Sequence, residues 1–223
     1  MPKRVPKQEA PRVFPVTPIT MERYGSSNNL IEAQQLQSPL EWFAMRGLFV
    51  YEDSITSMAL GAGLLYYTAR GMKQLRLLLA TDGGTIAEGF ALVDIMKLLQ
   101  QKAEIWTIGL KCLSMGALVL CAGTAGRRFI FPNSRVMIHL PQTVFKDIVL
   151  SSQDLSVINT QAQLMKVQYA TLLKECGAKP SIDKILQDME STTWMTAKQA
   201  IDYGIADAVV TPDMLEVIEK EAT

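Results

Sequence analysis

The sequence predicts an α/β fold with a parallel sheet covered by helices. Three observations carry this. Short apolar runs with little alternation recur at 47–51, 75–80, 105–108, 129–131 and 135–139, the pattern of strands covered on both faces. Stretches of helical length and periodicity separate most of these runs. Repeated strand–helix order in turn implies right-handed crossovers and a parallel sheet. The 223 residues, 48% of them hydrophobic and 20% charged, suit one domain with a sizeable core.

Taken in order, residues 1–35 form an arm rather than a folding unit. They hold Pro2, Pro6, Pro11, Pro15 and Pro18, then Ser26-Ser27-Asn28-Asn29, and have little power to fold alone. The domain itself is placed at 36–211. A short helix is expected at 40–45 and a strand at 47–51. Ser54 is the expected N-cap of a helix to Arg70, with Ile55, Met58, Ala59, Ala62, Leu65 and Tyr66 as apolar positions. A strand at 75–80 runs into Thr81-Asp82-Gly83-Gly84-Thr85, read as a turn, and a helix at 86–100 follows.

The third strand, 105–108, leads to Ser114 and a small-residue helix at 115–125, with Arg127 and Arg128 placed to cap its C-terminal end. Two short strands, 129–131 and 135–139, are expected about a Pro132-Asn133-Ser134 turn. After an irregular stretch, a long helix at 154–176 takes Asp154 as N-cap and ends before Gly177. At about 23 residues it would be about 34 Å long and would project from a small domain. Ser181 and Thr196 cap two short helices. A last strand falls at 206–210, and 212–223 is a C-terminal tail.

Composition excludes several classes. Twenty-two basic residues balance twenty-two acidic ones, which argues against nucleic acid or an anionic membrane surface as the main partner. No run reaches the roughly 18 apolar residues of a membrane span. Cys112, Cys121 and Cys176 lack metal-site spacing and are odd in number, which fits small core residues in a reducing compartment. The basic, proline-rich N-terminus lacks the apolar centre of a secretory signal. It is compatible with the remnant of a cleaved organelle transit segment.

The chemistry lies between Cys112 and His139. A serine at a strand-to-helix turn has its hydroxyl lifted from the backbone, and the following amide points from a helix N-terminus. That suits a nucleophile whose product is an oxyanion. His139 is the chain's single histidine and ends another strand-like run, so Ser114 and His139 on neighbouring strand ends can form a nucleophile–base pair. The plainer reading makes Ser114 an ordinary N-cap and His139 a packing residue. Gly83-Gly84, at a strand end before a helix, lets backbone amides approach a ligand closely, or is simply a turn.

The chain carries Ser114-Met115-Gly116-Ala117, Ala122-Gly123, Gly126, Arg128-Phe129 and Pro132-Asn133-Ser134-Arg135-Val136-Met137-Ile138-His139. Through these runs residues 45–210 resemble ClpP, the proteolytic subunit of the ATP-dependent Clp protease. Gly83-Gly84, Met195-Thr196-Ala197, Ala200, Tyr203-Gly204 and Asp207 support the resemblance. It implies a ClpP/crotonase-like fold of repeated strand–strand–helix units with a protruding handle, here region 142–176. It implies heptameric rings stacked in pairs, a tetradecamer, around a closed chamber. Ser114 is then the nucleophile, His139 the base, and the amides of Gly84 and Met115 the oxyanion donors. Partners would be sister ClpP-type subunits, an Hsp100-type AAA+ unfoldase and unfolded polypeptide. No cofactor is implied. The chain has no phosphate-binding loop, so a partner would use the ATP.

Three features depart from the family pattern. The family's aspartate lies two residues before the aromatic of the Met-Ser/Thr-Ala run, and here that position is Thr192. The segment after Pro141 is glycine-rich in the family but reads Gln142-Thr143-Val144-Phe145-Lys146-Asp147-Ile148 here. The glycine pair follows Thr81-Asp82 rather than Ser-Pro. These departures resemble the ClpR class, subunits that keep the fold but lose part of the triad and share mixed rings in plastids and cyanobacteria. One expectation is therefore a non-catalytic or very weak subunit, set in a chloroplast stroma or a bacterial cytoplasm. The other is an active serine endopeptidase in which Asp188, Glu190 or a water replaces the carboxylate. A coenzyme-A enzyme of the crotonase type is a third class, opposed by the contiguous Ser-Met-Gly-Ala and Met-Ile-His runs.

Overall fold

A computed structural model of the protein describes residues 48–55, 57–142 and 150–212. The expected arm at 1–35, the short helix at 40–45, most of the segment after Pro141 and nearly all of the C-terminal tail lie outside these residues. Four parallel strands form the centre of a mixed sheet: β1 (Leu48–Ile55), β2 (Gln74–Gly84), β3 (Glu104–Leu113) and β4 (Arg128–Ile138). β5 (Thr193–Thr196) adds antiparallel to β4, and β6 (Ala208–Val209) pairs with β4 in parallel. The helices among the described residues are α1 (Ser57–Ala69), α2 (Ile86–Leu99), α3 (Met115–Cys121), α4 (Ser152–Glu175), α5 (Ile182–Glu190) and α6 (Ala197–Tyr203).

Each pairing among the four central strands is broken once. The register shifts between Asp53 and Ser54 on β1, between Leu79 and Ala80 on β2, and between Gly109 and Lys111 on β3. A long strand thus reads as two short strands in tandem before its helix, the expected strand–strand–helix unit. Such bulges bend a strand and re-aim its end. On β4 the step absorbs Phe131 to Ser134, because Ile130 stands opposite Gly109 and Arg135 opposite Lys111. The Ser134 hydroxyl donates to the Gly109 carbonyl at 2.8 Å and fixes the step. The two strands expected about Pro132 are therefore one strand with an offset.

Alternation sorts the side chains. Leu75, Leu77 and Leu79 of β2 and Ile105 of β3 enter the main core with Leu92, Val93 and Met96 of α2 and Leu118 of α3. Trp106, Ile108 and Phe129 form a smaller cluster with Leu78 and Phe131. The Arg76 and Arg127 guanidinium groups lie 5.5 and 5.0 Å from the Trp106 ring centre, within cation–π range.

Several boundaries differ from expectation. Ser54 caps no helix: it continues β1, opposite Gly83, and α1 begins at Ser57. Pairing with the glycine end of β2 outweighs a weak capping preference. For the same reason Asp82 to Gly84 are strand rather than turn. The N-cap of α4 is Ser151, in a capping box with Asp154 as the third helical residue. A serine hydroxyl and a carboxylate here satisfy each other's backbone amides. α3 is shorter than expected and ends at Cys121. β5 was not expected, since four residues show too little alternation to read.

Candidate active site

Ser114 follows the last residue of β3 and precedes α3. Its backbone is at φ 55°, ψ −119°, a conformation that side chains other than glycine rarely adopt. The turn is sharp because β3 hands directly to a helix without a loop. The Ser114 amide donates to the Met137 carbonyl of β4 at 2.8 Å, and its carbonyl accepts from Ala117 N at 3.1 Å and from the Tyr169 hydroxyl at 3.0 Å. Its side chain caps nothing. Instead Ser114 Oγ lies 2.8 Å from His139 Nε2. Between N-cap and nucleophile geometry, the hydroxyl takes the second.

His139 stands one residue beyond the end of β4. Burial holds its imidazole below the ordinary histidine value. The neutral form, with one nitrogen free to accept a proton, is thereby favoured near pH 7. Among the described residues, the hydrogen bond to Ser114 is the only one His139 makes.

The β4–β5 pairing ends next to the histidine. Ile138 stands opposite Thr193, and His139 and Thr192 each lie one residue beyond that pair. The Met189 carbonyl accepts from both Leu140 N at 3.1 Å and Thr192 N at 3.3 Å, tying the two sides together. Thr192 is exposed and holds φ 51°. Ser114 and Thr192 are the positive-φ residues other than glycine among those described.

The two nearby carboxylates are engaged elsewhere. Asp188 is buried and accepts from Lys184 Nζ at 2.5 Å and from the Tyr203 hydroxyl at 3.0 Å. Glu190 faces Lys166 at 3.7 Å. Neither is hydrogen-bonded to His139.

Gly83 borders the serine. At φ 117° it suits glycine alone, and a Cβ there would lie 2.8 Å from Ser114 Cβ, 3.0 Å from Leu113 O and 3.3 Å from Met115 N. The Gly83 amide donates to Thr81 Oγ1 at 3.0 Å, and Gly84 stands opposite Ile55 at the end of β2. Met115 opens α3, so its amide has no acceptor within that helix. The Met115 side chain is buried against Gly89, where a Cβ would come within 2.0 Å of Met115 Cγ. That packing fixes α2 against the start of α3.

The profile of the Clp protease family matches residues 37–213. The chain belongs to the Clp protease family. Proteolytic subunit 2 of the ATP-dependent Clp protease of Chlamydia pneumoniae is 37% identical over 139 residues, 62% of this chain and 66% of the relative. Proteolytic subunit 1 of Chlamydia felis is 36% identical over 138 residues, with the same coverage. The chain thus spans just under two thirds of the length of these curated relatives. The mixed sheet with its six described helices is a Clp-protease fold, and the coenzyme-A reading is set aside.

The structure brings together Ser114, His139, Met115 and the Gly83-Gly84 strand end. Sequence reasoning missed Tyr169, whose hydroxyl reaches the Ser114 carbonyl across 55 residues of chain; one aromatic in a helix gives no signal for this. Lys111 pairs with Asp82 at 2.9 Å, while Arg128 Nη1 lies 3.5 Å from Cys121 Sγ. Burial still dominates, and pushes the Cys121 thiol up to about 12. Among the described residues no cluster of histidine, cysteine and carboxylate could hold a metal, and no described helix is long and apolar enough to cross a membrane.

Proposed function

We propose that this chain is a chamber-building subunit of a Clp protease core whose own serine site is inactive or very weak. The observation that carries the reading is Thr192, which stands in the sequence where the resemblance puts the family's aspartate and lies one residue beyond the Ile138–Thr193 pair. A threonine can accept a hydrogen bond from the imidazole but cannot balance the imidazolium that forms when His139 takes the serine proton. In a serine protease, loss of that carboxylate's charge costs about 10⁴ in kcat, which is about 5.5 kcal/mol of barrier. Asp188 and Glu190 offer no substitute while they hold Lys184, Tyr203 and Lys166.

In this reading the chain resembles the ClpR class and takes a place in a heptameric ring beside catalytic sisters. It completes the chamber wall and the surface that meets an AAA+ unfoldase. A plastid stroma or a cyanobacterial cytoplasm is the setting implied.

A second reading has its own support. Ser114 Oγ and His139 Nε2 are within 2.8 Å, so the nucleophile–base pair is assembled. The chain would then be a serine endopeptidase, with attack by Ser114, proton transfer to His139, and the Gly84 and Met115 amides facing the oxyanion. Fluorophosphonate labelling of the native particle, with Ser114→Ala as control, separates the two. The first reading expects labelled sister subunits and none on this chain. Labelling at Ser114 at a rate comparable to the sisters supports the second.

A further inference from the structure

The long helix and the nucleophile are joined by one polar contact. α4 has 24 residues, and Tyr169, Ala170 and Leu173 are its buried ones. The helix is therefore anchored by its C-terminal third, while Val157, Leu164 and Val167 lie on the exposed part. Tyr169 is the first buried residue along α4, at the point where the projecting part meets the body. Its side chain is only 5% exposed, and its hydroxyl donates to the Ser114 carbonyl at 3.0 Å.

The Ser114 backbone is costly to hold. A residue at such a φ and ψ is strained and persists only where its surroundings over-determine it. Three groups do so here: the Met137 carbonyl from β4, the Ala117 amide from α3 and the Tyr169 hydroxyl from α4. The first two belong to elements adjacent to the serine in the sheet and the chain. Only the third comes from the projecting helix. Burial also pushes the Tyr169 hydroxyl far above the ordinary tyrosine value, so it remains a donor at every working pH.

We propose that Tyr169 is a positioning residue: its hydroxyl holds the Ser114 carbonyl so that the strained turn keeps Ser114 Oγ on His139, and the placement of α4 is thereby read at the nucleophile. The contact exerts this effect whether or not the site turns over, so its readout is kept separate from activity.

His139 is the only histidine, which makes its imidazole nitrogens unambiguous in ¹⁵N-histidine NMR of the assembled, tag-free particle. Tyr169→Phe removes one oxygen and leaves the Ser114 carbonyl bonded to Ala117. The Nε2 resonance should move toward the position seen in Ser114→Ala, and the double variant should show no further change. In a Thr192→Asp background, fluorophosphonate labelling should slow roughly three- to tenfold, the worth of one hydrogen bond. A His139 resonance that stays at the wild-type position in Tyr169→Phe, while Ser114→Ala moves it, overturns the proposal. Should Tyr169→Phe fail to assemble, ring-fluorinated tyrosine placed at 169 keeps the hydroxyl and strengthens its donation. The Nε2 signal must then move away from the Ser114→Ala position, and no movement overturns the proposal equally.

Discussion

Ser114 keeps an unfavourable backbone because its neighbours leave no alternative, and Gly83 is one of them. With φ at 117° and 2.8 Å between its hypothetical Cβ and Ser114 Cβ, Gly83→Ala cannot be accommodated without moving the serine. We expect this variant to lose the Ser114–His139 hydrogen bond while the distant core stays folded. The NMR signal of His139 and a thermal melt check the two halves. His139 yields a second prediction at this scale. Burial depresses its folded pKa, so the unfolded state binds the proton first as pH falls. The stability it contributes is full above the ordinary value of about 6.5 and is lost as pH falls through the folded value. A titration of the single histidine should give a midpoint below that of an unfolded control. At Thr192, a β-branched residue at φ 51° adopts a conformation that aspartate and asparagine tolerate better. Thr192→Asp should therefore not lower stability.

At the scale of elements, Arg128 at the start of β4 does what the sequence placed it to do, and more. Its Nη1 donates to Cys121 O at the end of α3 at 3.4 Å, to Cys176 O at the end of α4 at 2.8 Å and to Gly204 O at the end of α6 at 2.9 Å. Nη2 and Nε pair with Asp207 at 2.5 and 2.9 Å. One guanidinium thus answers three helix C-termini, where carbonyls are unsatisfied and the dipole is negative. Burial pushes the Asp207 carboxyl up, but the Arg128 hydrogen bonds prevail and hold it below the usual range. That contribution is present above the unfolded value and lost as pH falls through the folded one. Asp207→Asn leaves Arg128 buried without its counter-charge. We expect a loss near the lower end of the roughly 3–5 kcal/mol for a broken buried pair, because Asp207 is partly exposed, read as a fall in denaturation midpoint. On α4, Val157, Leu164 and Val167 share one face and are 56%, 58% and 46% exposed. An apolar face so exposed suits contact with another subunit. Leu164→Glu should weaken association of the particle in sedimentation while leaving the helical circular-dichroism signal unchanged.

At the scale of the molecule, what could be read from the chain was what repeats or is chemically singular. β2 and β3 announced themselves as apolar runs, α2 and α4 as long helical stretches, and Ser114 and His139 as a strand-to-helix serine and a sole histidine. Three kinds of feature stayed hidden. β5 is too short for a period. The end of β1 is extended only because β2 continues through Gly83-Gly84 beside it, so Ser54 misread as a cap reflects tertiary pairing overriding local preference. Tyr169 and Arg128 work through partners that are 55 and 79 residues away in sequence, and no local pattern encodes such a meeting. Thr192 was legible only against the family motif, and it lies one residue beyond the Ile138–Thr193 pair of β4 and β5.

The central claim is that this site lacks one charge and little else. It is tested most directly by Thr192→Asp in the assembled particle, scored by the rate of fluorophosphonate labelling at Ser114. The account predicts an increase of up to about 10⁴-fold, abolished by Ser114→Ala and accompanied by a rise in the His139 midpoint. An unchanged rate in a folded, assembled variant whose histidine titrates as in the wild type would contradict it.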